Sequence, residues 1–212
     1  MTVLRAYATG SFVFIFSLFN VSTLLADAQT VPDAKVFILA GQSNAMGYGS
    51  NAKLLPEELH APQMDVRFWY EEGRLPAMLE PWKRLKSDGW EPLMFQSCTK
   101  KMVFGMNIIN GFGAEIKLGR VLSDTLAQDV FIIKFAIGST NLAEDWNALT
   151  PGFLFTDLCR VVDEAMSALI QVGRNPKIAG FFWMQGEKDG ANAQYSASYK
   201  KNLKDFIKQI RM

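Results

Sequence analysis

Three short apolar runs, at residues 36–40, 130–137 and 178–184, each break off into a turn of glycine and polar residues. Runs of this length, bounded in this way, mark strands covered on both faces, the kind that parallel sheets use. Amphipathic helices lie between and after them. Residues 114–126 put Ile116, Leu118, Val121, Leu122 and Leu126 at helical spacing. Residues 155–172 do the same with Leu158, Val161, Val162, Met166, Leu169 and Ile170, and residues 195–210 with Tyr199, Leu203, Phe206, Ile207 and Ile210. Strand alternating with helix predicts an α/β fold, a doubly wound parallel sheet in flavodoxin-like order.

The start of the chain stands outside this scheme. Arg5 precedes an apolar stretch at residues 11–19, and Ala26-Asp27-Ala28 follows, which predicts a secretory signal over residues 1–28 cut before Gln29. The rival is an uncleaved membrane anchor, since residues 6–25 carry no charge. Asn20, Ser22 and Thr23 weaken that reading, and both place the protein outside the cytoplasm: periplasmic, secreted or on the cell surface. Residues 29–212 then form one domain by size, with 49% hydrophobic residues over the whole chain to build a core. A formal charge of +1 and no basic run argue against a nucleic-acid partner. No stable membrane partner is expected unless the signal stays uncleaved. In an oxidising compartment Cys98 and Cys159 could bridge, and a buried free thiol at Cys159 is an equal alternative.

Each strand run delivers a polar loop to the same edge of the sheet, where open α/β folds place their ligands. The first gives Gly41-Gln42-Ser43-Asn44, the second Gly138-Ser139-Thr140-Asn141, the third Gln185-Gly186-Glu187. A serine on a sharp strand-to-loop turn has the geometry that acyl-transfer enzymes need. Taken alone, the first loop could equally be a helix cap. Convergence of all three favours chemistry, with the amides of Ser43 and Gly138 and the side chain of Gln185 as donors to an oxyanion. Between the first and second runs lies a long insertion, residues 48–110, with Pro56, Pro62, Pro76, Pro81 and Pro92, a strand-like stretch at 65–70, and Trp69, Trp82 and Trp90. Such an insertion is where specificity would be built, its rings either stacking on sugars or packing a small core of its own.

The blocks Gly41-Gln-Ser-Asn44, Phe112-Gly-Ala-Glu115, Lys134-Phe-Ala-Ile-Gly138-Ser-Thr140 and Trp183-Met-Gln-Gly-Glu-Lys-Asp189 resemble those of the sialate O-acetylesterase-like SGNH hydrolases. These are carbohydrate esterases related to acetylxylan esterases, and the resemblance runs from about Lys35 onward. It implies a three-layer α/β/α fold and hydrolysis of acetyl esters on sugars, so that an acetylated carbohydrate is the expected partner. It implies Ser43 as nucleophile, the Gly138 and Gln185 loops as the oxyanion hole, and Gln42, Asn44 and Glu187 as supporting residues that orient their neighbours. Ser139 stands where the similar enzymes carry a second glycine, and Ala114 where they carry proline.

A serine alcohol needs an adjacent base, and in the similar enzymes it lies in a late Asp-x-x-His. The one histidine here is His60, in the insertion, and no Asp-x-x-His follows Gln185, so this chain offers neither a catalytic histidine nor its aspartate at the expected place. His60 reads as an exposed loop imidazole. A strand at 178–184 would also end as an unpaired apolar edge, which natural sheets avoid. Each strand-plus-helix unit takes about 30 residues, which predicts about 40–80 residues missing from the C-terminus, a fragment of an esterase inactive or weak by itself. Two other functions compete. One is a non-catalytic carbohydrate-binding relative that has lost its base. The other is a nucleotide-binding protein using residues 41–47 as a phosphate loop, which the absence of Lys-Ser/Thr after Gly47 disfavours. No metal or organic cofactor is expected, because no His/Cys/carboxylate cluster has ligand spacing.

Overall fold

The computed structural model describes residues 31–74, 84–95, 102–103, 106–107, 111–147, 149 and 153–212. The signal segment at 1–28, Trp82 and Cys98 lie outside the described residues. The three apolar runs become β1 (Asp33–Gly41), β7 (Val130–Gly138) and β8 (Asn175–Met184). The insertion contributes β2 (Gln63–Arg74), β3 (Leu85–Lys86), β4 (Glu91–Leu93) and a separate two-stranded ribbon of β5 (Met102–Val103) and β6 (Met106–Asn107). The helices are α1 (Ser43–Met46), α2 (Glu115–Leu126), α3 (Phe153–Gln171), α4 (Glu187–Gly190) and α5 (Ala193–Ile210).

Among the described residues the main sheet runs β3-β2-β7-β1-β8, with β4 also on β2. β2, β7, β1 and β8 are parallel to their neighbours, and β3 and β4 are antiparallel to β2. Taken alone, the three sequence-predicted strands stand in the order second, first, third, as in flavodoxin-like sheets. The strand-like stretch at 65–70 belongs to this sheet and not to a separate subdomain. Val66 and Phe68 face Ile116 of α2, while Trp69 turns to the opposite side, so both faces of β2 are covered.

The sheet is the middle of three layers. On one face Val36, Ile38, Phe131, Ile133 and Phe135 meet Leu158, Val161, Ala165 and Leu169 of α3 and Phe206 of α5. On the other, Phe37, Val130 and Ile132 meet Ile116 of α2. Trp69 and Trp90 pack edge to face 5.8 Å apart, Trp90 lies 5.3 Å from Phe131, and its indole N–H donates to the Ala165 carbonyl at 3.0 Å. These rings extend the main core; they do not form a core of the insertion. Arg84 bridges Glu71 of β2 and Asp157 of α3 at 2.9 and 2.8 Å, pinning the insertion to that face. β8 is the exception to burial, with one strand neighbour among the described residues and with Ile178 54% and Phe182 37% exposed. Cys159 is a free thiol and is exposed, not buried. Among the described residues no helix is long and apolar enough to cross a membrane.

Candidate active site

The site grows from the end of β1. A side chain at Gly41, where φ is +155°, would place its Cβ 2.0 Å from the Met184 carbonyl. Glycine therefore lets β1 close onto the end of β8, and the next amide, Gln42 N–H, donates to that same carbonyl at 3.0 Å. The chain then coils into the single turn α1, which opens with Ser43 and stops at Gly47, where φ is +81° and a Cβ would lie 1.8 Å from the Phe112 carbonyl. Ser43 is half-buried, and its hydroxyl makes no hydrogen bond to another described residue. The first amides of such a turn also have no partner within it.

The second loop leaves β7 at Gly138. Ser139 takes the left-handed conformation, φ +64°, which accounts for a preference for glycine at this position. The loop then braces itself. Thr140 Oγ1 donates to the Ile137 carbonyl at 2.7 Å and accepts from the Trp146 indole at 2.8 Å. Asp145 accepts from both the backbone and side-chain N–H groups of Asn141 at 2.8 Å, and burial pushes its carboxyl above the usual range.

The third loop closes the arrangement. Gln185 Nε2 lies 3.2 Å from Gln42 Oε1, 3.0 Å from the Thr140 carbonyl and 2.6 Å from Asp189 Oδ2. One nitrogen thus touches all three loops, and its two hydrogens are directed at acceptors of the protein. Gln185 Oε1 is buried without a partner. Asp189, itself buried, accepts the Leu142 amide on both oxygens, at 3.1 and 3.0 Å. Beside this clasp the Asn44 amide donates to the Glu187 carboxylate, so the residue after Ser43 is tied to the third loop as well. The Tyr199 hydroxyl donates to the Gln185 carbonyl at 2.7 Å and fixes the loop from α5; burial pushes this phenol up.

Of the residues expected from sequence, Gln42, Asn44, Gln185 and Glu187 come together through these bonds, and Ser43 sits between the first two. Gly138 is the last residue of β7, two positions before the Thr140 carbonyl that binds Gln185. His60 does not join them through any bond. It is exposed at the end of a short turn, with Nε2 placed 3.1 Å from the Leu55 carbonyl and its ring edge-on to Phe95. Two contributors escaped the sequence reading. Asp189 is one, and its signal was a carboxylate four residues after Gln185 in a glycine-containing turn. Lys134 is the other, fully buried in β7 beside Glu72 and Glu115, each 3.2 Å from its Nζ. A lysine in the middle of an otherwise apolar strand was its signal. Burial alone would lower its pKa, but Glu115 and Glu72 outweigh that and hold the ammonium above its ordinary value. Among the described residues no group of three or more His, Cys, Asp or Glu side chains is arranged to hold a metal ion.

Comparison with known proteins agrees with this architecture. A protein of Arabidopsis thaliana with a known X-ray structure superposes with a TM-score of 0.58 at 21% identity, over 85% of this chain and 69% of that one. Further similarities are to the structure of NanS (TM-score 0.47, 18% identity, 84% of this chain and 65% of that one) and to a carbohydrate acetylesterase from Xanthomonas citri (0.49, 18%, 84% and 38%). None of the curated proteins compared gives a significant match. The family profile described as carbohydrate esterase, sialic acid-specific acetylesterase, matches residues 33–212. With that match covering nearly the whole of the described α/β domain, the chain belongs to the sialic acid-specific acetylesterase family of carbohydrate esterases.

Proposed function

We propose that this protein is an exported serine esterase that removes O-acetyl groups from carbohydrates through an acyl-enzyme on Ser43. The observation that carries the reading is the clasp at Gln185, whose one nitrogen bonds to Gln42, Thr140 and Asp189 and so joins loops from three strand ends next to Ser43 in the chain. Ser43 Oγ attacks the acetyl carbonyl, and the tetrahedral oxyanion is received by the Ser43 amide and an amide of the Gly138-Ser139 turn. The sugar oxygen leaves as an alcohol, and water then releases acetate and regenerates Ser43. Gln185 supports this by holding the loops in place; donation to the oxyanion requires it to release one of its present acceptors. Glu187 orients Asn44. The attack requires a base that takes the Ser43 proton and returns it to the leaving sugar oxygen, and His60, the one histidine of this chain, lies instead 3.1 Å from the Leu55 carbonyl. Residues 1–212 by themselves are accordingly expected to be nearly inactive. Residues 1–28 supply the export signal.

The test is acetate release from O-acetylated sialic acids and acetylated xylo-oligosaccharides by the complete gene product, compared with its Ser43→Ala variant. Loss on the order of 10³-fold or more at unchanged stability is expected. A fully active Ser43→Ala protein sinks the assignment. The engagement of His60 elsewhere favours one second reading, a carbohydrate-binding relative without a base. Saturable binding of acetylated glycans with no acetate released by the complete gene product supports that alternative.

A further inference from the structure

Lys134 reaches three separate elements, through two ion-pair contacts and one hydrogen bond to backbone. Its Nζ lies 3.2 Å from Glu72 Oε2 on β2, 3.2 Å from Glu115 Oε2 at the start of α2, and 3.0 Å from the carbonyl of Met46. Met46 is the last residue of α1, the turn that begins with Ser43. The last carbonyls of a helical turn have no partner within it, and a buried one left unpaired is costly. An ammonium ion beneath that carbonyl satisfies it and favours the dipole of the turn.

The same cluster reaches the turn by a second route. Glu115 Oε1 accepts the Gly113 amide at 2.7 Å. Gly113 lies so close to the turn that a Cβ there would fall 2.5 Å from both the Ala45 carbonyl and Glu115 Oε2. The neighbouring Phe112 carbonyl is the group that leaves no room for a side chain at Gly47, and the Phe112 amide donates to Ser50 Oγ at 2.8 Å. Residues 112–115 therefore back the turn along its length, and Lys134 with its two carboxylates fastens both to the centre of the sheet. A buried ion cluster serving the core alone would pair acids and lysine with one another. Here the ammonium donates to the backbone that carries the serine.

We propose that Lys134, held by Glu72 and Glu115, is a positioning residue that fixes the Ser43 turn from behind through the Met46 carbonyl. The consequence for chemistry rests on the reading of Ser43 as nucleophile; the positioning itself does not. Replacing Lys134 alone strands two buried carboxylates and risks unfolding, so the informative variant is the charge-free triple Lys134→Met, Glu72→Gln, Glu115→Gln. Hydrogen exchange followed by mass spectrometry or NMR is expected to show amides 46–48 exchanging about tenfold faster or more, with β1 and β7 within about twofold of the parent. In the complete gene product the same variant is expected to lower kcat with KM nearly unchanged, because the serine is misplaced while the sugar-binding surface is not. Turn amides that stay as protected as in the parent, in a folded triple variant, overturn the proposal. Should the triple variant not fold, native-state exchange on the parent protein decides. Amides 46–48 must open together with those of Ile133 and Phe135, and an independent, easier opening of the turn overturns the proposal. If Ser43→Ala retains acetate release, the esterase reading falls, and the exchange result still judges the positioning role.

Discussion

β7 and β8 both deliver loops to the same clasp, yet they are held in different ways. β7 lies between β2 and β1, and all nine of its residues are buried. Among the described residues β8 has β1 as its one strand neighbour, and Ile178, Phe182 and Met184 are 54%, 37% and 38% exposed. The position of the β7 loop is inherited from packing. That of the β8 loop depends on polar bonds: Gln185 to Gln42 and Thr140, Asp189 to Leu142, and Tyr199 to the Gln185 carbonyl. The difference teaches where each wall of the site is vulnerable. On the β7 side it is the apolar core, and on the β8 side it is a handful of donors and acceptors.

Core truncation gives the largest contrast. Phe135→Ala in β7 removes a fully buried ring packed 5.5 Å from Trp146 and should cost about 3–5 kcal/mol in urea unfolding. Phe182→Ala in β8 should cost about 1 kcal/mol or less. Equal costs would erase the distinction. An intermediate effect is expected at the clasp. Gln185→Leu keeps the size of the side chain but leaves the Thr140 carbonyl and Asp189 short of a donor, which should cost about 1–3 kcal/mol and most of the acetate release. A stable, fully active variant would show that the third loop is held by something else. The smallest effect belongs to the surface pair that ties β8 to the start of β1. Lys177 and then Asn175 hydrogen-bond Asp33 and hold its carboxyl below the usual range. Its contribution is present above the ordinary carboxylate pKa and is lost as pH falls through the depressed value. Lys177→Met should therefore leave the unfolding midpoint at neutral pH almost unmoved and make the acid loss of stability slightly shallower. A large shift at neutral pH would mean that the edge is pinned by charge.

Much of this frame was readable from the chain. Short apolar runs located β1, β7 and β8, and the period-3.6 pattern located the three long helices, to within a few residues, because those stretches meet the core. What could not be read was long-range placement. The stretch at 65–70 announced a strand, but nothing local says that it lies parallel to β7. Likewise, a tryptophan in a loop does not reveal that its indole will reach the Ala165 carbonyl. At the site the residues were legible and their hydrogen bonds were not. Gln185 was expected as a donor to the reaction, yet its hydrogens point at Gln42, Thr140 and Asp189, acceptors brought together by folding. Lys134 was visible in principle as a charge in a buried strand, and its partners, from β2 and α2, follow from topology alone.

The most direct measurement is covalent labelling of the complete gene product with a fluorophosphonate, followed by peptide mapping. An activated serine displaces fluoride and retains the phosphonyl group, so the label is expected on Ser43, in proportion to the acetate-releasing activity lost. A protein that hydrolyses sugar acetates while Ser43 stays unlabelled, or that loses activity through a label elsewhere, would contradict the account.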